Sequence, residues 1–254
     1  SNSTDSDDIT QQTYKPGKLT IATGQPAYEP WVMNDKPESG EGYEAAVAYA
    51  VADKLGFKKS DVVWTRTAFD TAIAPGAKDW DFNIQQFGIT DERKKAVDFS
   101  SSYYNDSQSV VVKKDSKFAN ATKVSDLKDA TVGVMVGTLA YDYAKANIKD
   151  DIQTFNDDAA LAQALDAGQI DALVTSTVEC VYMVQSEQVK DAKVLGRLPD
   201  SEDKSGMGIV LPKDSKLTAA VTKAVDDLNA DGTIKKLQDK WLAEYTTDLT
   251  ELKK

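Results

Sequence analysis

The sequence predicts an α/β fold made of two similar lobes. Strand patterns and helix patterns alternate along the 254 residues, which is typical of this fold class. Two successive β/α series each place a Gly or Thr at a turn from a strand into a helix. A long predicted strand at residues 109–113 leads from the first series into the second.

The first series is predicted from hydrophobic periodicity. A helix is expected over residues 43–55, because Val47, Val51 and Leu55 recur at spacing four and Gly56 follows. Strands are expected before and after this helix. They cover residues 18–23, 62–65 and 81–86.

The second series repeats the alternation. A helix over residues 159–167 is expected to begin after the cap Asp157 and to end at Gly168, and Gly137-Thr138 opens another. The expected strands are residues 131–135, 152–155, 170–175, 193–197 at a sheet edge, and 206–211. The tail is helical, with one apolar stripe at Leu217, Val221, Val225 and Leu228 and, after Gly232, a second at Ile234, Leu237 and Trp241.

Composition excludes several function classes. With 30 basic and 41 acidic residues the net charge is −11, which argues against nucleic acid or an anionic membrane as a partner. The absence of histidine removes the commonest general base and metal ligand. Cys180 is the single cysteine, so it has no internal disulfide partner and is expected to be a small buried residue. We therefore predict no metal, no cofactor and no catalytic residue.

The chain begins with a polar, acidic stretch. No apolar run is long enough to span a bilayer, and residues 1–17 are predicted to be a disordered tether. Such a tether is expected where a signal peptide has been removed.

One segment combines several features of an anion receptor. A strand runs into Gly88-Ile89-Thr90, and Thr90 starts a short charged helix whose first turn carries Arg93. A strand end, helix N–H groups and a guanidinium together can bind a carboxylate. Asp91 and Glu92 are interpreted as helix N-terminal charges.

This segment closely resembles the Ile-Thr-x-x-Arg…Val-Asp-Phe-Ser…Tyr-Tyr signature of the extracellular amino-acid-binding proteins of ABC importers. The resemblance extends from about Lys18 to Trp241 in the order of the family's landmarks. These are Gly24 to Trp31, Gly42-Tyr43-Glu44, Asp126-Leu127-Lys128, Val132-Gly133-Val134, Gly137-Thr138, Gly168 to Ala172, Asp231-Gly232-Thr233 and Lys240-Trp241.

The resemblance implies a two-lobe periplasmic-binding-protein fold of type II, with two hinge strands between the lobes. It places residues 18–107 and 204–254 in lobe 1 and residues 108–203 in lobe 2. The ligand would be held between lobes that close by hinge motion. The expected protein is a monomeric receptor, periplasmic or anchored by lipid to a Gram-positive membrane, that delivers an amino acid to an ABC permease.

The resemblance also implies the ligand contacts. Arg93 would grip the α-carboxylate, with Thr138 as its counterpart in the second lobe, although each also fits a structural role. Tyr28 and Phe69 would sandwich the ligand side chain, and Trp31 would line the rim or pack in the core. Gln85, Gln86 and Gly88 would offer oxygens to the α-ammonium.

Two positions depart from the family pattern, which usually has Asp at the positions of Gln25 and Ser176. Without Asp at position 176 the ammonium group needs another partner, because a buried unpaired charge is costly. Glu179, Glu29 or Asp70 could substitute, or the ligand amine is modified, neutral or exposed. Gln25 weakens the case for a long cationic side chain, so a polar, neutral amino acid is expected.

Two other functions compete with the receptor. An enzyme on the same fold, such as a dehydratase similar to cyclohexadienyl dehydratase, would need acid–base groups. The sequence offers no histidine and no paired carboxylate spacing that could be placed at the site. The sensor domain of a membrane receptor is the other alternative.

Overall fold

The structure, a computed structural model, describes residues 8–254 and divides into two compact units. Unit 1 contains the described residues up to Asn105 together with Ser205–Ala243, and unit 2 contains Asp106–Lys204 and Glu244–Lys254. Each unit is built around one five-stranded sheet. The prediction of an α/β fold is therefore confirmed.

Ten strands lie in the described part of the chain. They are β1 (Leu19–Thr23), β2 (Val62–Arg66), β3 (Phe82–Asn83), β4 (Val97–Tyr104), β5 (Gln108–Lys113), β6 (Val132–Met135), β7 (Gln153–Phe155), β8 (Ala172–Ser176), β9 (Ala192–Arg197) and β10 (Met207–Pro212). The α-helices are α1 (Tyr43–Lys54), α2 (Phe69–Ala72), α3 (Asp91–Lys94), α4 (Leu139–Asn147), α5 (Asp158–Asp166), α6 (Thr177–Gln185), α7 (Thr218–Ala230), α8 (Thr233–Trp241) and α9 (Ala243–Thr246). Short 3₁₀ turns cover Ile9–Gln11, Met33–Asp35, Pro37–Ser39, Lys59–Asp61 and Val124–Leu127.

Both sheets have the same kind of strand arrangement. In unit 1 the order is β2-β1-β3-β10-β4, with β1 parallel to β2 and β3, and β10 antiparallel to β3 and β4. In unit 2 the order is β7-β6-β8-β5-β9, with β6 parallel to β7 and β8, and β5 antiparallel to β8 and β9. Three parallel strands therefore stand beside two further strands in each unit.

The core of unit 2 explains the continuous apolar run of β5. Val110 and Val112 of β5 belong to one buried cluster, whereas Val111 belongs to another. Because successive side chains of a strand point to opposite faces, a sheet covered on both faces needs apolar residues at every position. Cys180 is fully buried in the second cluster, which confirms its prediction as a small core residue.

Two predicted helix caps and one predicted apolar stripe are confirmed, whereas in the second stripe only Ile234 is buried and Leu237 and Trp241 are partly exposed. Asp157 caps α5 by accepting from the Ala160 amide at 2.7 Å, and Thr90 caps α3 by accepting from the Arg93 amide at 3.1 Å. The predicted apolar stripe of α7 is buried throughout. Its members are Leu217, Val221, Val225 and Leu228.

The unit boundaries differ from the sequence-based prediction. Residues 106–107, 204 and 244–254 were expected in lobe 1, but they group with unit 2. Leu252 is buried in a unit 2 cluster, and Glu251 and Lys253 form β-bridges to Arg197 and Lys123. Apolar burial and backbone pairing therefore attach this tail to unit 2.

The N-terminal stretch differs as well. Residues 1–7 of the predicted tether lie outside the described residues, but residues 8–17 are not a free tether. Thr13 is buried, and the backbone N–H of Tyr14 donates to Asp81 Oδ1 at 2.7 Å. Asp81 Oδ2 accepts from the Thr20 amide at 2.7 Å, so one buried carboxylate joins this segment to β1. Within residues 8–254, no helix combines the length and apolar character needed to cross a membrane.

The start of α1 depends on a glycine. Gly42 has φ +105°, and a Cβ there would lie 2.5 Å from the Trp31 carbonyl oxygen and 2.7 Å from Val32 Cα. The same carbonyl accepts the Glu44 amide at 2.9 Å, while the Pro30 carbonyl accepts the Tyr43 amide at 2.9 Å. The backbone of the preceding loop thus satisfies helix N–H groups that would otherwise have no partner.

We expect Gly42→Ala to lower the free energy of unfolding by about 2 kcal/mol more than Gly76→Ala. Gly76 is the matched control, because its φ is +113° but a Cβ there would meet nothing within 4 Å. Both variants carry the backbone strain, and only the first adds a clash with backbone atoms. Denaturant unfolding of both variants measures the difference, and equal losses would contradict it.

Candidate functional site

The strand order of each unit defines a place where loops diverge. In the orders β2-β1-β3 and β7-β6-β8, the first strand of each triplet is flanked on its two sides by the next two strands of that triplet. Ligands of open α/β sheets bind at such switch points, outside the carboxyl ends of the strands. Most predicted contacts lie at or shortly after these ends: Gln25, Tyr28, Gln85, Gln86 and Gly88 in unit 1, and Thr138 and Ser176 in unit 2.

Arg93 is the cationic group of the unit 1 site. It is partly buried, its Nη1 donates to the Gly88 carbonyl at 2.8 Å, and its guanidinium lies 5.3 Å from the centre of the Phe69 ring. Burial lowers the pKa of Arg93, and the nearby Asp70 carboxylate opposes that shift. Among residues 8–254 no carboxylate lies within ion-pair distance of Arg93, so its outer N–H groups can receive an anion.

Phe69 has the geometry of a wall. Its ring packs on Phe87 with centroids 4.7 Å apart, and Phe87 is fully buried in the core. Phe69 is thus held against the core and lies near Arg93, and part of its surface remains exposed. Such a ring offers both contact area and cation–π capacity.

Gln85 lies over the end of β1. A Cβ on Gly24 would come within 2.6 Å of Gln85 Nε2, so the glycine leaves the room that this amide occupies. Gln85 Oε1 is buried without a hydrogen-bond partner in the protein, as is Asn83 Oδ1. An unpaired buried acceptor costs about 1–3 kcal/mol, and a ligand N–H group would satisfy it.

The loop that carries Gln25 and Tyr28 is fixed by an ion pair that sequence reasoning did not identify. Arg66 Nη1 donates to Asp35 Oδ1 at 2.6 Å and to the Gly24 carbonyl at 2.8 Å. Asp35 also accepts the Ala27 amide at 2.8 Å, and this bond, followed by the contact with Arg66, lowers the pKa of Asp35. The Tyr28 side chain remains 54% exposed and Gln25 is exposed.

Gln86 is directed to a buried carboxylate. Its backbone N–H donates to Glu44 Oε2 at 2.8 Å, and its side-chain Nε2 donates to Glu44 Oε1. The Tyr103 hydroxyl donates to the same carboxylate, which is fully buried. The structure thus assigns Gln86 to holding its loop, whereas the sequence predicted that it faces a ligand. Glu44 appeared in the sequence only as part of a helix-start motif.

Trp31 packs in the core. It is 5% exposed and makes edge contacts with the rings of Tyr43 and Tyr104, at centroid distances of 6.2 and 5.7 Å. Of the two roles weighed for Trp31, this supports packing over lining the rim. Its burial follows from aromatic neighbours that lie far away in the sequence.

Thr138 is the N-cap of α4 in unit 2. Its Oγ1 accepts the Tyr141 amide at 3.3 Å and donates to the Met135 carbonyl at 2.7 Å. The predicted capping role is therefore confirmed, and a ligand contact remains a prediction. Beside it, Val136 and Leu139 expose 52% and 47% of their surface.

Carboxylates gather near Ser176 in unit 2. Ser176 makes no side-chain cap bond to α6. Burial, followed by repulsion from Asp158 and Asp106, raises the pKa of Glu179 to about 8. Burial raises the pKa of Asp106 to about 7, and hydrogen bonds from the backbone of Ser107 and Val178 oppose this. Sequence reasoning named Glu179 as a substitute for the missing Asp but did not find Asp106 or Asp158.

The described residues contain no group of three or more His, Cys, Asp or Glu side chains that could hold a metal ion. In unit 1 the candidate residues offer guanidinium, amide and aromatic groups, and in unit 2 they offer hydroxyl and carboxyl groups. A guanidinium can bind a carboxylate, and a carboxylate can bind an ammonium group.

Comparison with known proteins places this chain among binding proteins. The family described as bacterial extracellular solute-binding proteins, family 3, matches residues 19–244. The L-arginine-binding protein of Pseudomonas aeruginosa is 29% identical over 245 residues, covering 90% of this chain and 88% of the relative. The L-cystine-binding protein TcyJ of Escherichia coli is 30% identical over 223 residues, covering 87% and 81%.

Solved structures agree with the fold. An ancestral arginine-binding protein bound to arginine has a TM-score of 0.66 and 31% identity, covering 89% of this chain and 98% of that one. An ancestral arginine-binding protein bound to glutamine has a TM-score of 0.65, with the same identity and coverage. The family resemblance and the two-lobe periplasmic-binding-protein fold predicted from the sequence are confirmed.

We expect Glu179→Gln to raise the melting temperature at pH 8–9 by about 2–4 °C, the shift for about 1 kcal/mol in a chain of this size. A carboxyl whose pKa is raised by folding stabilises the folded state below its unfolded pKa, and this contribution is lost as the pH rises towards 8. Neutral Gln avoids the loss, so the two proteins should converge near pH 4.

The control for this measurement is Glu202→Gln, which removes an exposed carboxylate from the same unit. Thermal unfolding of the three proteins between pH 4 and 9 tests the expectation. A difference between Glu179→Gln and wild type that does not change with pH would contradict it.

Proposed function

The chain belongs to the bacterial extracellular solute-binding proteins, family 3, and we propose that it captures one amino acid outside the cytoplasm and delivers it to an ABC permease. The related proteins named above are binding proteins, and this chain is a binding protein rather than an enzyme. The observation that carries the amino-acid assignment is Arg93, a partly buried guanidinium with free donors beside an aromatic wall.

In this proposal Arg93 binds the α-carboxylate of the ligand through two parallel N–H···O bonds. Thr138 and the backbone at the start of α4 supply the counterpart in unit 2, and the two units close around the ligand. Tyr28 and Phe69 contact the ligand side chain. The anchor in the membrane would be a lipid on a segment that precedes the described residues.

We assign the partner of the ligand ammonium to Glu179. Glu179 is partly buried, and the carboxylates of Asp158 and Asp106 add to its negative surroundings. Burial, followed by repulsion from these two carboxylates, raises the pKa of Glu179, and a cation there would relieve the repulsion. Of the other candidates, Asp70 interacts electrostatically with Arg93 from unit 1, and Glu29 accepts the Asn34 amide at 3.2 Å.

The ligand side chain is proposed to be polar and uncharged. Gln25 and Gln85 offer amide groups at the end of the unit 1 sheet, and Gln85 Oε1 has no protein partner. An amide can accept from an N–H group and donate to an oxygen, but it does not neutralise a full charge. L-glutamine, bound by one of the similar structures, fits this description better than L-arginine.

The first test is thermal stabilisation by the standard amino acids, L-cystine, betaines and small peptides. A ligand at 100 times its Kd raises the free energy of unfolding by about 2.7 kcal/mol, which is a shift of several degrees. A shift from polar neutral amino acids supports the proposal. A shift from L-arginine or L-cystine alone would overturn the side-chain assignment, and a flat panel would overturn the amino-acid ligand.

We expect Arg93→Ala to weaken binding of the stabilising amino acid at least 100-fold, because truncating a desolvated charge partner typically costs 2–5 kcal/mol. Lys94→Ala is the matched control, since it removes a cation from an exposed neighbour on the same short helix. Calorimetric titration measures both variants. Unchanged affinity in Arg93→Ala would eliminate the carboxylate role.

We expect Glu179→Gln to weaken binding about tenfold or more, and Ser176→Asp in the same chain to restore it. The double variant moves the carboxylate to the position where the family usually has Asp. Calorimetric titrations at pH 8, where the α-ammonium of a free amino acid is still mostly protonated, compare the wild type with the single and double variants. Full affinity in Glu179→Gln would move the ammonium partner to another residue.

A further inference from the structure

The Glu44 carboxylate is buried in unit 1 and receives three hydrogen bonds from two separate segments. Glu44 is fully buried near the start of α1. Its Oε2 accepts the Gln86 amide at 2.8 Å and the Tyr103 hydroxyl, and its Oε1 accepts Gln86 Nε2. All three groups donate hydrogen bonds, so a side chain at this position has to supply acceptors for them.

The loop that Glu44 holds also orients the Arg93 side chain. Gln86 has φ +54°, an uncommon backbone conformation for a residue with a side chain. Two residues later the Gly88 carbonyl accepts Arg93 Nη1 at 2.8 Å. The position of residues 86–88 therefore sets the position of the guanidinium.

The rest of the loop is tied to a different element. The Gly208 amide donates to the Phe87 carbonyl at 3.0 Å, and the Ile89 amide donates to the Gly206 carbonyl at 2.9 Å. These bonds join the loop to β10 and the residue before it. Glu44 supplies the attachment to α1, and α1 is itself fixed through Gly42 to the loop at Trp31.

We propose that Glu44 is a positioning residue for ligand binding, which fixes the loop at Gln86 and through Gly88 orients Arg93. This inference rests on the proposed carboxylate role of Arg93. Hydrophobic packing alone would not call for a carboxylate here. Burial raises the pKa of Glu44 to about 7, so above that pH the ionised group opposes folding. Tyr43 and Tyr103 are the titratable groups that face it.

Two substitutions separate hydrogen bonding from packing. Glu44→Leu keeps a similar volume but removes the acceptors, so the Gln86 amide loses its partner. Glu44→Gln retains one acceptor for the Gln86 amide and the Tyr103 hydroxyl, and its amide N–H can donate to Gln86 once that side chain has rotated by half a turn. The conservative variant should therefore restore what Leu abolishes.

The experiment measures hydrogen exchange of the Gln86 amide in the ligand-free protein and the affinities for L-glutamine, L-arginine and L-cystine. In Glu44→Leu we expect exchange at Gln86 at least tenfold faster and affinity about tenfold weaker, with both near wild type in Glu44→Gln. Tyr103→Phe is the matched control, because it removes a donor to the same carboxylate but leaves the bonds to Gln86. If Glu44→Leu does not fold, Glu44→Asp, which is too short to reach Gln86, replaces it.

Unchanged exchange at Gln86, or faster exchange with full affinity, would overturn the positioning role. Equal loss of affinity in Glu44→Leu and Glu44→Gln would also overturn it, because the amide would then not replace the carboxylate. Exchange is read without ligand, so it tests the attachment of the loop even if none of the three amino acids binds. Absence of binding to wild type would instead count against the ligand proposal, and the remaining amino acids of the thermal panel would then supply the affinity probe.

Discussion

The triplet of parallel strands in each unit is the constraint on which the rest of the structure depends. In each triplet the first strand lies between the other two, so the connections to the second and third strands leave towards opposite edges of the sheet. Loops that diverge in this way leave space at the carboxyl ends of the strands. Gly24 and Gln85 follow the ends of β1 and β3, and Thr138 and Ser176 occupy the matching places at β6 and β8. Polar residues can occupy these strand ends because the ends, unlike the buried middle of a strand, need not be covered by apolar residues on both faces.

Three carboxyl groups of this protein are removed from water, Glu44 and Asp106 fully and Glu179 in part. Glu44, Asp106 and Glu179 all have raised pKa values because burial disfavours their ionised forms. Glu44 and Asp106 are compensated by hydrogen bonds from the protein, whereas like charges add to the cost at Glu179. Hydrogen-bonded carboxylates of this kind suit structural positioning, and an uncompensated one suits a cationic ligand group.

The unit 1 site illustrates how local and distant constraints combine. The Thr90 cap and the placement of Arg93 in the first turn of α3 are local, since they depend on residues three apart. The orientation of the Arg93 guanidinium is not determined by its sequence neighbours alone. It depends on Gly88, on the stack of Phe69 against Phe87, and through Gln86 on a carboxylate 42 residues away in the sequence.

The sequence by itself determined the α/β alternation, the caps at Asp157 and Thr90, the buried stripe of α7 and the family, because these follow from short-range spacing and from landmarks in a fixed order. Only the tertiary structure decided that Trp31 packs in the core, that Gln86 turns to Glu44, and that residues 244–254 belong with unit 2. The local sequence around a glutamine at a strand end is the same whether its side chain faces a ligand or a buried carboxylate. Long-range contacts decide between the two, since the acceptor comes from another element and leaves no periodic pattern in the sequence.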